Sequence, residues 1–332
     1  MNSLNLNEAK EICRKVIDGI VNVYVGEELL LKKLLAAGLS NGHVLFEDYP
    51  GLGKTLLAKV FTRVIGCDCG RIQFTPDLLP ADIIGGKVWR PQDTSFQLVK
   101  GPIFTNILLA DEINRTPPKT QAALLEAMEE RRVTIDGEDH VLERPFFVLA
   151  TQNPIEQEGT YPLPEAQLDR FMVKLSMGYP QSVEKEGTIL KRRISWRKDD
   201  PSIDVEPVID KETFLNLQDL TEDAIYVDPC IIDYISQIVR ATREHPKVIV
   251  GASPRGGLAL LKLSRSVAII NGRDFVTPDD VKMFAPDVLV HRIILRVENT
   301  IEGTKEQEIV QEVVDSITPP MEFSPKGGDD AE

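Results

Sequence analysis

The chain contains the stretch Asp48-Tyr49-Pro50-Gly51-Leu52-Gly53-Lys54-Thr55, which directly follows His43-Val44-Leu45-Phe46-Glu47. The apolar residues before the stretch favour a buried strand, and its two glycines favour a tight loop. Gly-Lys-Thr then opens a helical pattern. Backbone N–H groups of such a loop can wrap a polyphosphate, and the new helix directs the positive end of its dipole at the same anion. The stretch therefore predicts a strand, a phosphate-binding loop and a helix, in that order.

Individual residues of this loop have distinct expected roles. Lys54 can reach the β- and γ-phosphates of a nucleotide, and the hydroxyl of Thr55 can hold Mg²⁺. Nucleotide binding is also assigned to Pro50, Gly51, Leu52 and Gly53 of the loop and to Leu56 in the first turn of the helix. The usual pattern starts with glycine where this chain has Asp48, but aspartate tolerates left-handed backbone better than most residues. The alternative interpretation is a glycine-rich turn with a surface lysine.

An acidic pair follows a second apolar run. Ile107-Leu108-Leu109-Ala110 is typical of a strand buried on both faces of a parallel sheet, and it ends in Asp111-Glu112. Asp111 is expected to hold Mg²⁺ through water, and Glu112 to take a proton from an attacking water. Two solvated acids at a strand end are the alternative. A phosphate loop followed by an acidic strand end is the order found in P-loop NTPases, which favours ATP and Mg²⁺ as cofactors.

Length and composition indicate a globular protein with room for two domains. The 332 residues are 42% hydrophobic and 27% charged, which is ordinary for such a chain. No stretch approaches the ~18 apolar residues of a membrane-spanning helix, and the N-terminal residues lack the apolar core of a signal peptide. We therefore expect a cytoplasmic protein without membrane insertion, its four cysteines reduced.

The net charge of −14 disfavours a partner that is itself a polyanion. A protein that grips nucleic acid along its surface needs a basic face to neutralise phosphates. The basic run Lys191-Arg192-Arg193 is more commonly a solvated helix face. We therefore expect no nucleic-acid partner.

Hydrophobic periodicity and turn residues describe an α/β region up to about residue 195. Residues 81–97 are predicted to form a loop or small hairpin inserted into a helix, and residues 133–141 a β-hairpin. Thr116 is predicted to cap a helix that begins at Pro117. The remaining predicted helices are 9–20, 27–39 and 54–64, and the remaining predicted strands are 71–74, 146–150 and 171–175.

The second region, residues 196–322, is predicted to be a smaller all-helical domain. Asp228-Pro229, Ser253-Pro254 and Thr277-Pro278 each look like a cap followed by proline at the first helical position. Residues 323–332 are predicted to be an acidic disordered tail. The fold class is therefore α/β, with a nucleotide-binding core at residues 1–195 followed by a helical domain.

Several segments together resemble the MoxR branch of the AAA+ ATPases. The resemblance covers roughly residues 10–320 and joins the phosphate loop and the acidic pair to four further segments. These are Gln73-Phe74-Thr75-Pro76-Asp77-Leu78-Leu79-Pro80, Ala150-Thr151-Gln152-Asn153-Pro154, Leu163-Pro164-Glu165-Ala166-Gln167-Leu168-Asp169-Arg170-Phe171 and Ser253-Pro254-Arg255. MoxR proteins often carry aspartate at the position of Asp48.

This resemblance implies a P-loop AAA+ core with a five-stranded parallel sheet and a helical lid. It implies an insertion in the second core helix at about 82–98, and a hairpin at about 132–144 before the strand that carries sensor 1. Asn153 would be sensor 1, orienting the attacking water together with Glu112, since an amide can both donate and accept. Without the resemblance, an asparagine that caps a turn is the alternative.

The resemblance also assigns two arginines and a nucleotide-base site. Arg170 would be an arginine finger acting on a neighbour's nucleotide; taken alone, it would be a surface arginine paired with Asp169 or Glu165. Arg255 would be sensor 2, acting on the γ-phosphate within the subunit or across subunits. Val25 and Gly26 lie where the family holds adenine.

The leading hypothesis is an ATP-hydrolysing, chaperone-like remodelling or maturation factor. The resemblance implies a ring oligomer, a hexamer by analogy with the family, and a partner with a von Willebrand factor A domain. One alternative is the ATPase subunit of a metal chelatase. Another is a nucleotide-dependent scaffold without turnover, which the presence of both a base and a finger disfavours. A nucleic-acid motor is disfavoured by the acidic charge.

Overall fold

The computed structural model describes residues 4–49, 51–92, 94–153, 159–198 and 200–321. Pro50 of the phosphate loop and the predicted tail 323–332 lie outside the described residues. Within these ranges, each helix is too short or too polar to cross a bilayer.

The order of secondary-structure elements agrees with an α/β region followed by a helical one. The strands are β1 (Val44–Glu47), β2 (Cys69–Gln73), β3 (Gly85–Arg90), β4 (Ser95–Lys100), β5 (Ile107–Asp111), β6 (Arg132–Ile135), β7 (Glu138–Val141), β8 (Phe147–Gln152), β9 (Val173–Leu175), β10 (Val248–Val250) and β11 (Ile294–Leu295). The helices are α1 (Leu6–Val21), α2 (Glu28–Leu39), α3 (Lys54–Val64), α4 (Pro80–Ile84), α5 (Pro118–Glu130), α6 (Glu165–Leu168), α7 (Val183–Trp196), α8 (Lys211–Ala224), α9 (Pro229–Glu244), α10 (Pro254–Ile270), α11 (Pro278–Leu289), α12 (Val297–Ile301) and α13 (Glu306–Ser316).

A five-stranded parallel sheet forms the centre of the first region, which we call the core. Its strand order is β2-β5-β8-β1-β9. All five residues of β5 are buried, as expected for a strand covered by helices on both faces. The carboxyl ends of β1, β5 and β8 therefore meet at one edge, where such sheets bind ligands. The predicted fold class is confirmed.

Helices α8 to α13 form the second region, which we call the lid. The predicted caps are present: Asp228 accepts from the N–H of Cys230 at 2.9 Å, and Ser253 accepts from the N–H of Arg255 at 3.2 Å. Strands β10 and β11 add a short antiparallel ribbon to this helical region. Helix α10 packs against both α1 and α2, so the first helices of the chain contact the lid. The predicted boundary after residue 195 falls in the last turn of α7.

Two local predictions are wrong in detail. Helix α5 begins at Pro118, with Pro117 as its cap. Thr116 is extended instead, and its hydroxyl donates to the carbonyl of Thr75 at 3.0 Å. The hairpin of β3 and β4 is present, but helix α4 lies only before it, and turns follow at residues 101–106. A Cβ on Gly101 would lie 2.3 Å from the carbonyl oxygen of Ile83, so the hairpin closes too tightly at its base for a side chain there.

The second predicted hairpin consists of β6 and β7 and contacts the first. Lys87 of β3 lies 2.7 Å from Glu138 of β7, which lowers the pKa of Glu138. Each hairpin forms a two-stranded sheet of its own, separate from the core sheet. The two insertions are therefore joined by an ion pair at the surface.

Candidate nucleotide site

The phosphate loop has the backbone that its glycines predict. Gly51 and Gly53 adopt positive φ angles of +83° and +82°, and α3 begins at Lys54. Lys54 Nζ donates to the carbonyl oxygen of Asp48 at 2.7 Å, so its side chain folds back across the loop. Burial lowers the pKa of Lys54, and the acidic groups of Asp48, Asp111 and Glu112 oppose this shift. The amino group therefore lies among carboxylates at the N-terminus of the helix.

Asp48 contributes to the loop through its side chain. One carboxylate oxygen accepts from the hydroxyl of Ser176 at 2.7 Å, and the other accepts from the N–H of Met177 at 2.5 Å. Both partners follow β9, the edge strand beside β1. Aspartate at this position thus ties the start of the loop to the neighbouring strand, which glycine could not do.

A cavity of about 500 Å³ opens beside the loop, at the carboxyl edge of the sheet. Residues predicted from the sequence line it together with residues that were not predicted. Its walls are Gly51, Leu52, Gly53, Lys54, Thr55, Leu56, Lys59, Arg71, Gln73, Asp111, Glu112, Thr151, Asn153 and Asp200. We call this space the nucleotide cavity.

Asp111 lies at the centre of a hydrogen-bond network in the nucleotide cavity. The Thr55 hydroxyl donates to its Oδ2 at 3.4 Å. The Thr151 hydroxyl faces Oδ1 at the same distance. Arg71 Nε donates to Oδ2 at 2.8 Å. The predicted metal ligands, Thr55 and Asp111, are therefore adjacent, and a cation between them would meet hard oxygen donors of the kind that Mg²⁺ prefers.

Glu112 is held in a strained backbone conformation beside this network. Its φ angle is +58°, unusual for a residue with a side chain, and its N–H donates to the Thr151 hydroxyl at 2.9 Å. Gln73 Nε2 donates to its carboxylate at 3.0 Å, and Arg115 Nε lies 3.2 Å from the same oxygen. The carboxylate is thus aimed by polar partners at the rim of the cavity.

Asn153 lies where sensor 1 was predicted. It is buried, directly follows β8 and lines the nucleotide cavity together with Glu112. Its carbonyl oxygen accepts from Asn114 Nδ2 at 3.4 Å. The parallel pairing of β5 with β8 brings the two strand ends, and therefore Glu112 and Asn153, to one edge.

The segment that contains Val25 and Gly26 lies close to the phosphate loop. The ring of Tyr24 makes the connection: a Cβ on Gly26 would lie 2.3 Å from this ring, and a Cβ on Gly53 would lie 3.5 Å from it. Burial, together with the charge of Asp48, raises the pKa of Tyr24 to about 12. An adenine site at Val25 and Gly26 remains a prediction.

Arg170 and Arg255 lie in a second cavity of about 390 Å³. Arg170 Nη2 is 3.0 Å from Glu129 Oε2, and Arg255 of the lid donates to the other oxygen of the same carboxylate. The cavity wall also contains three further basic residues, Arg131, Lys262 and Arg292. We call this space the arginine cavity. It is rich in cations although the whole chain carries a net charge of −14.

Asp169 fixes the lid helix at the edge of the arginine cavity. The Ser253 hydroxyl, at the cap of α10, donates to its Oδ2 at 3.0 Å. Arg292 Nε donates to its Oδ1 at 2.7 Å. Asp169 and Arg170 are consecutive residues, and both are linked to the start of α10. Asp169 contacts Ser253 directly, whereas Arg170 is linked to Arg255 through Glu129. The position of Arg255 is therefore set by contacts between core and lid.

The sequence did not reveal Arg71, Gln73, Thr151 or Glu129 as site residues. Arg71 and Gln73 are two residues apart on β2, so their side chains project from the same face of the strand. This pattern was a weak signal, since only the pairing of β2 with β5 brings them to the acidic pair. Glu129 is one of several glutamates near the end of α5, and its position facing two arginines depends on how core and lid pack.

Comparisons with known proteins agree with this geometry. Residues 43–173 match the family described as ATPase family associated with various cellular activities (AAA), and residues 240–313 match the AAA lid domain. Chaperone MoxR1 of Mycobacterium tuberculosis is 40% identical over 92% of this chain and 82% of its own length. The chain belongs to the MoxR family of AAA+ ATPases.

Two further proteins extend this similarity across the whole MoxR-type architecture. The Bacillus subtilis protein YeaC is 48% identical over 93% of this chain and 95% of its own length. A crystal structure of a putative ATPase from Cytophaga hutchinsonii has a TM-score of 0.87 and 38% identity, covering 95% of this chain and 97% of that one. Core and lid are therefore both shared with relatives.

Proposed function

We propose that this protein hydrolyses ATP with Mg²⁺ and acts as a chaperone-like remodelling or maturation factor for protein complexes. The observation that carries the proposal is the meeting of Lys54, Thr55, Asp111 and Glu112 in one cavity at the carboxyl edge of the sheet. The printed name of the 40% identical relative, a chaperone, supports the biological role. The cytoplasm is the proposed compartment.

Each residue of the nucleotide cavity has a task that follows from its position. The loop N–H groups and Lys54 bind the phosphates, and Thr55 and Asp111 hold the metal, the latter through water. Bound Mg²⁺ supplies charge neutralisation at the transferred phosphoryl group. Glu112 accepts the proton of the attacking water, and Asn153 orients that water from the adjacent strand end. Gln73 and Arg115 hold the Glu112 carboxylate at the cavity rim.

The arginine cavity supports assembly into a ring. Arg170 and Arg255 share Glu129 in a space lined by residues other than those of the phosphate loop. We infer that both arginines act on the nucleotide of a neighbouring subunit, so that Arg255 works across subunits like the finger Arg170. A ring, of six subunits by analogy with the family, would place each arginine cavity against the next nucleotide cavity.

The proposed partner is a protein with a von Willebrand factor A domain, and the client is a protein complex that this partner delivers. The division into a core at 1–195 and a lid at 196–322 remains part of the proposal.

Phosphate release from ATP, measured with Mg²⁺ and with excess EDTA, tests the activity. The mass of the assembly in ATP, measured by light scattering, tests the ring. A von Willebrand A protein encoded beside this gene should co-purify with this protein and change its rate of ATP turnover. If it neither co-purifies nor changes the rate, the proposed partner is wrong.

A further inference from the structure

One carboxylate oxygen of Asp111 contacts two hydrogen-bond donors. Oδ2 faces the Thr55 hydroxyl at 3.4 Å, and Arg71 Nε donates to this same oxygen at 2.8 Å. The Asp111 side chain is only 8% exposed, whereas Arg71 is 50% exposed. A water ligand of a metal ion at this site would need Asp111 Oδ2 as its acceptor, and it therefore competes with the guanidinium of Arg71 for one atom.

The placement of Arg71 is built into the sheet. Arg71 is a residue of β2, which pairs in parallel with β5, and it lies opposite Leu109. From this edge strand its side chain reaches along β5 to the acidic end. Arg71 Nη2 also donates to Gln73 Oε1 at 3.1 Å, so the guanidinium is held at a second point. The ion pair is thus supported by strand register and by a neighbouring side chain.

The buried carboxylate needs a positive neighbour in the absence of metal. An ionised carboxylate out of water is costly unless it is paired. Among the described residues, Lys54 and Lys59 are the other lysines or arginines that line the nucleotide cavity. The amino group of Lys54 is bonded to the carbonyl of Asp48, and that of Lys59 to the carboxylate of Asp200. Arg71 makes the direct charged contact and is exposed enough to swing away without leaving an unpaired group in the core.

We propose that Arg71 is the counter-ion of Asp111 in the metal-free site: it pairs with Asp111 until metal binds, and then gives up Oδ2 to a water ligand of the bound Mg²⁺. The inference rests on the proposed nucleotide site and adds a regulating residue to it. While Arg71 stays paired, a nucleotide without metal meets a neutralised Asp111 instead of a bare negative charge. Arg71 is therefore expected to strengthen nucleotide binding without metal and to weaken it with metal, so that the two affinities differ less than they would without Arg71.

The test is calorimetry with ADP, which avoids turnover, in excess EDTA and in excess Mg²⁺. The quantity compared is the ratio of the two dissociation constants, EDTA over Mg²⁺. In Arg71→Gln, ADP without metal faces an uncompensated Asp111, and Mg²⁺ no longer competes with an arginine. We expect the ratio to rise about tenfold or more over wild type, and Arg71→Lys to restore most of the wild-type ratio.

Two further variants make the result specific. Arg63→Gln removes one positive charge from α3, where Arg63 donates to the carbonyl of Ile203 at 3.3 Å, and should leave the ratio unchanged. In an Asp111→Asn background there is no carboxylate to compete for, so adding Arg71→Gln should leave the ratio as in Asp111→Asn alone. A persistent effect there would make Arg71 a direct phosphate ligand and overturn the proposal.

The other outcomes separate this inference from the proposed function. A wild-type protein that binds no ADP and no ATP contradicts the nucleotide site itself. A wild type that binds ADP, together with a folded Arg71→Gln whose ratio lies within twofold of wild type, overturns only the counter-ion role. Thermal unfolding of each variant shows whether it is folded. If Arg71→Gln is not folded, Arg71→Met, which also removes the charge, takes its place in the comparison.

Discussion

Arg170 and Glu129 form an ion pair, with 3.0 Å between Nη2 and Oε2. The other oxygen of this carboxylate accepts from Arg255, which belongs to the lid. Two guanidinium groups from two regions of the chain thus share one counter-charge. Because like charges repel, the carboxylate lets both arginines point into one cavity. The pair of arginines is therefore assembled by contacts within a single chain.

Lys54→Ala should abolish nucleotide binding. Lys54 is the cation at the start of α3, where the β- and γ-phosphates are expected to lie. Calorimetry with ATP or ADP measures the effect, and Lys32→Ala, which breaks only an exposed pair with Glu28, serves as the control. Unchanged affinity in Lys54→Ala would show that the loop is not the phosphate site.

Glu112→Gln should bind ATP as wild type does and hydrolyse it about 10²–10⁴ times more slowly, because glutamine keeps the shape and loses the base. The hydrogen bond from Gln73 can still be accepted by the amide oxygen. Binding by calorimetry and phosphate release in a steady-state assay separate the two effects. Turnover at the wild-type rate would mean that another group activates the water.

Arg170→Ala should retain ATP binding and lose roughly 10³–10⁵ in turnover, the usual contribution of an arginine finger. Mixing Arg170→Ala with Lys54→Ala should recover part of the activity, since an intact nucleotide cavity can then face an intact arginine cavity. Activity per subunit of the wild type should also fall on dilution. A mixture that stays inactive although its subunits exchange, with activity per subunit independent of concentration, would rule out action across subunits.

Glu129→Gln should lower kcat while leaving the affinity for ATP unchanged. The amide cannot neutralise Arg170 and Arg255, so the two cations separate within a cavity that already contains Arg292. Glu130→Gln is the matched control, because the neighbouring Glu130 pairs at the surface with Arg132. An increase in kcat would identify Glu129 as an inhibitory contact, and equal kcat in both variants would remove its positioning role.

Acid should destabilise the protein through His43. Its Nδ1 accepts from the N–H of Val148 at 2.9 Å, and its Nε2 lies 2.9 Å from the carbonyl of Met128. Burial, assisted by the charge of Arg131, lowers the pKa of His43 well below its ordinary value. The unfolded chain therefore binds a proton below pH ~6.5 that the folded chain does not, so stability falls as pH decreases.

His43→Gln removes this contribution. The pH dependence of its unfolding free energy, measured in urea at pH 7, 6 and 5, should be shallower than that of wild type by up to about 1.4 kcal/mol per pH unit at the acidic end. His291 is also buried with a lowered pKa and should keep a remaining slope in the variant. Parallel curves for the two proteins would contradict a neutral His43 in the folded state.

The sequence by itself determined the elements whose signals are local. Three such features depend only on neighbouring residues: the glycines at 51 and 53, the apolar run before Asp111 and the cap at Ser253. The structure contains all three. Backbone preference and periodicity operate over a few residues, so such features can be predicted from a single chain. The family resemblance added Asn153 and Arg170, which no local pattern distinguishes.

Only the tertiary structure decided which distant residues meet. The order β2-β5-β8 brings Arg71 to Asp111 and Thr151 to Glu112, and the packing of the lid brings Arg255 to Glu129. Periodicity shows which face of a strand or helix is buried, but it carries no information on which element lies beside it. The pairing of Arg71 with Asp111 and the shared carboxylate of the arginine cavity are therefore consequences of strand order and domain packing.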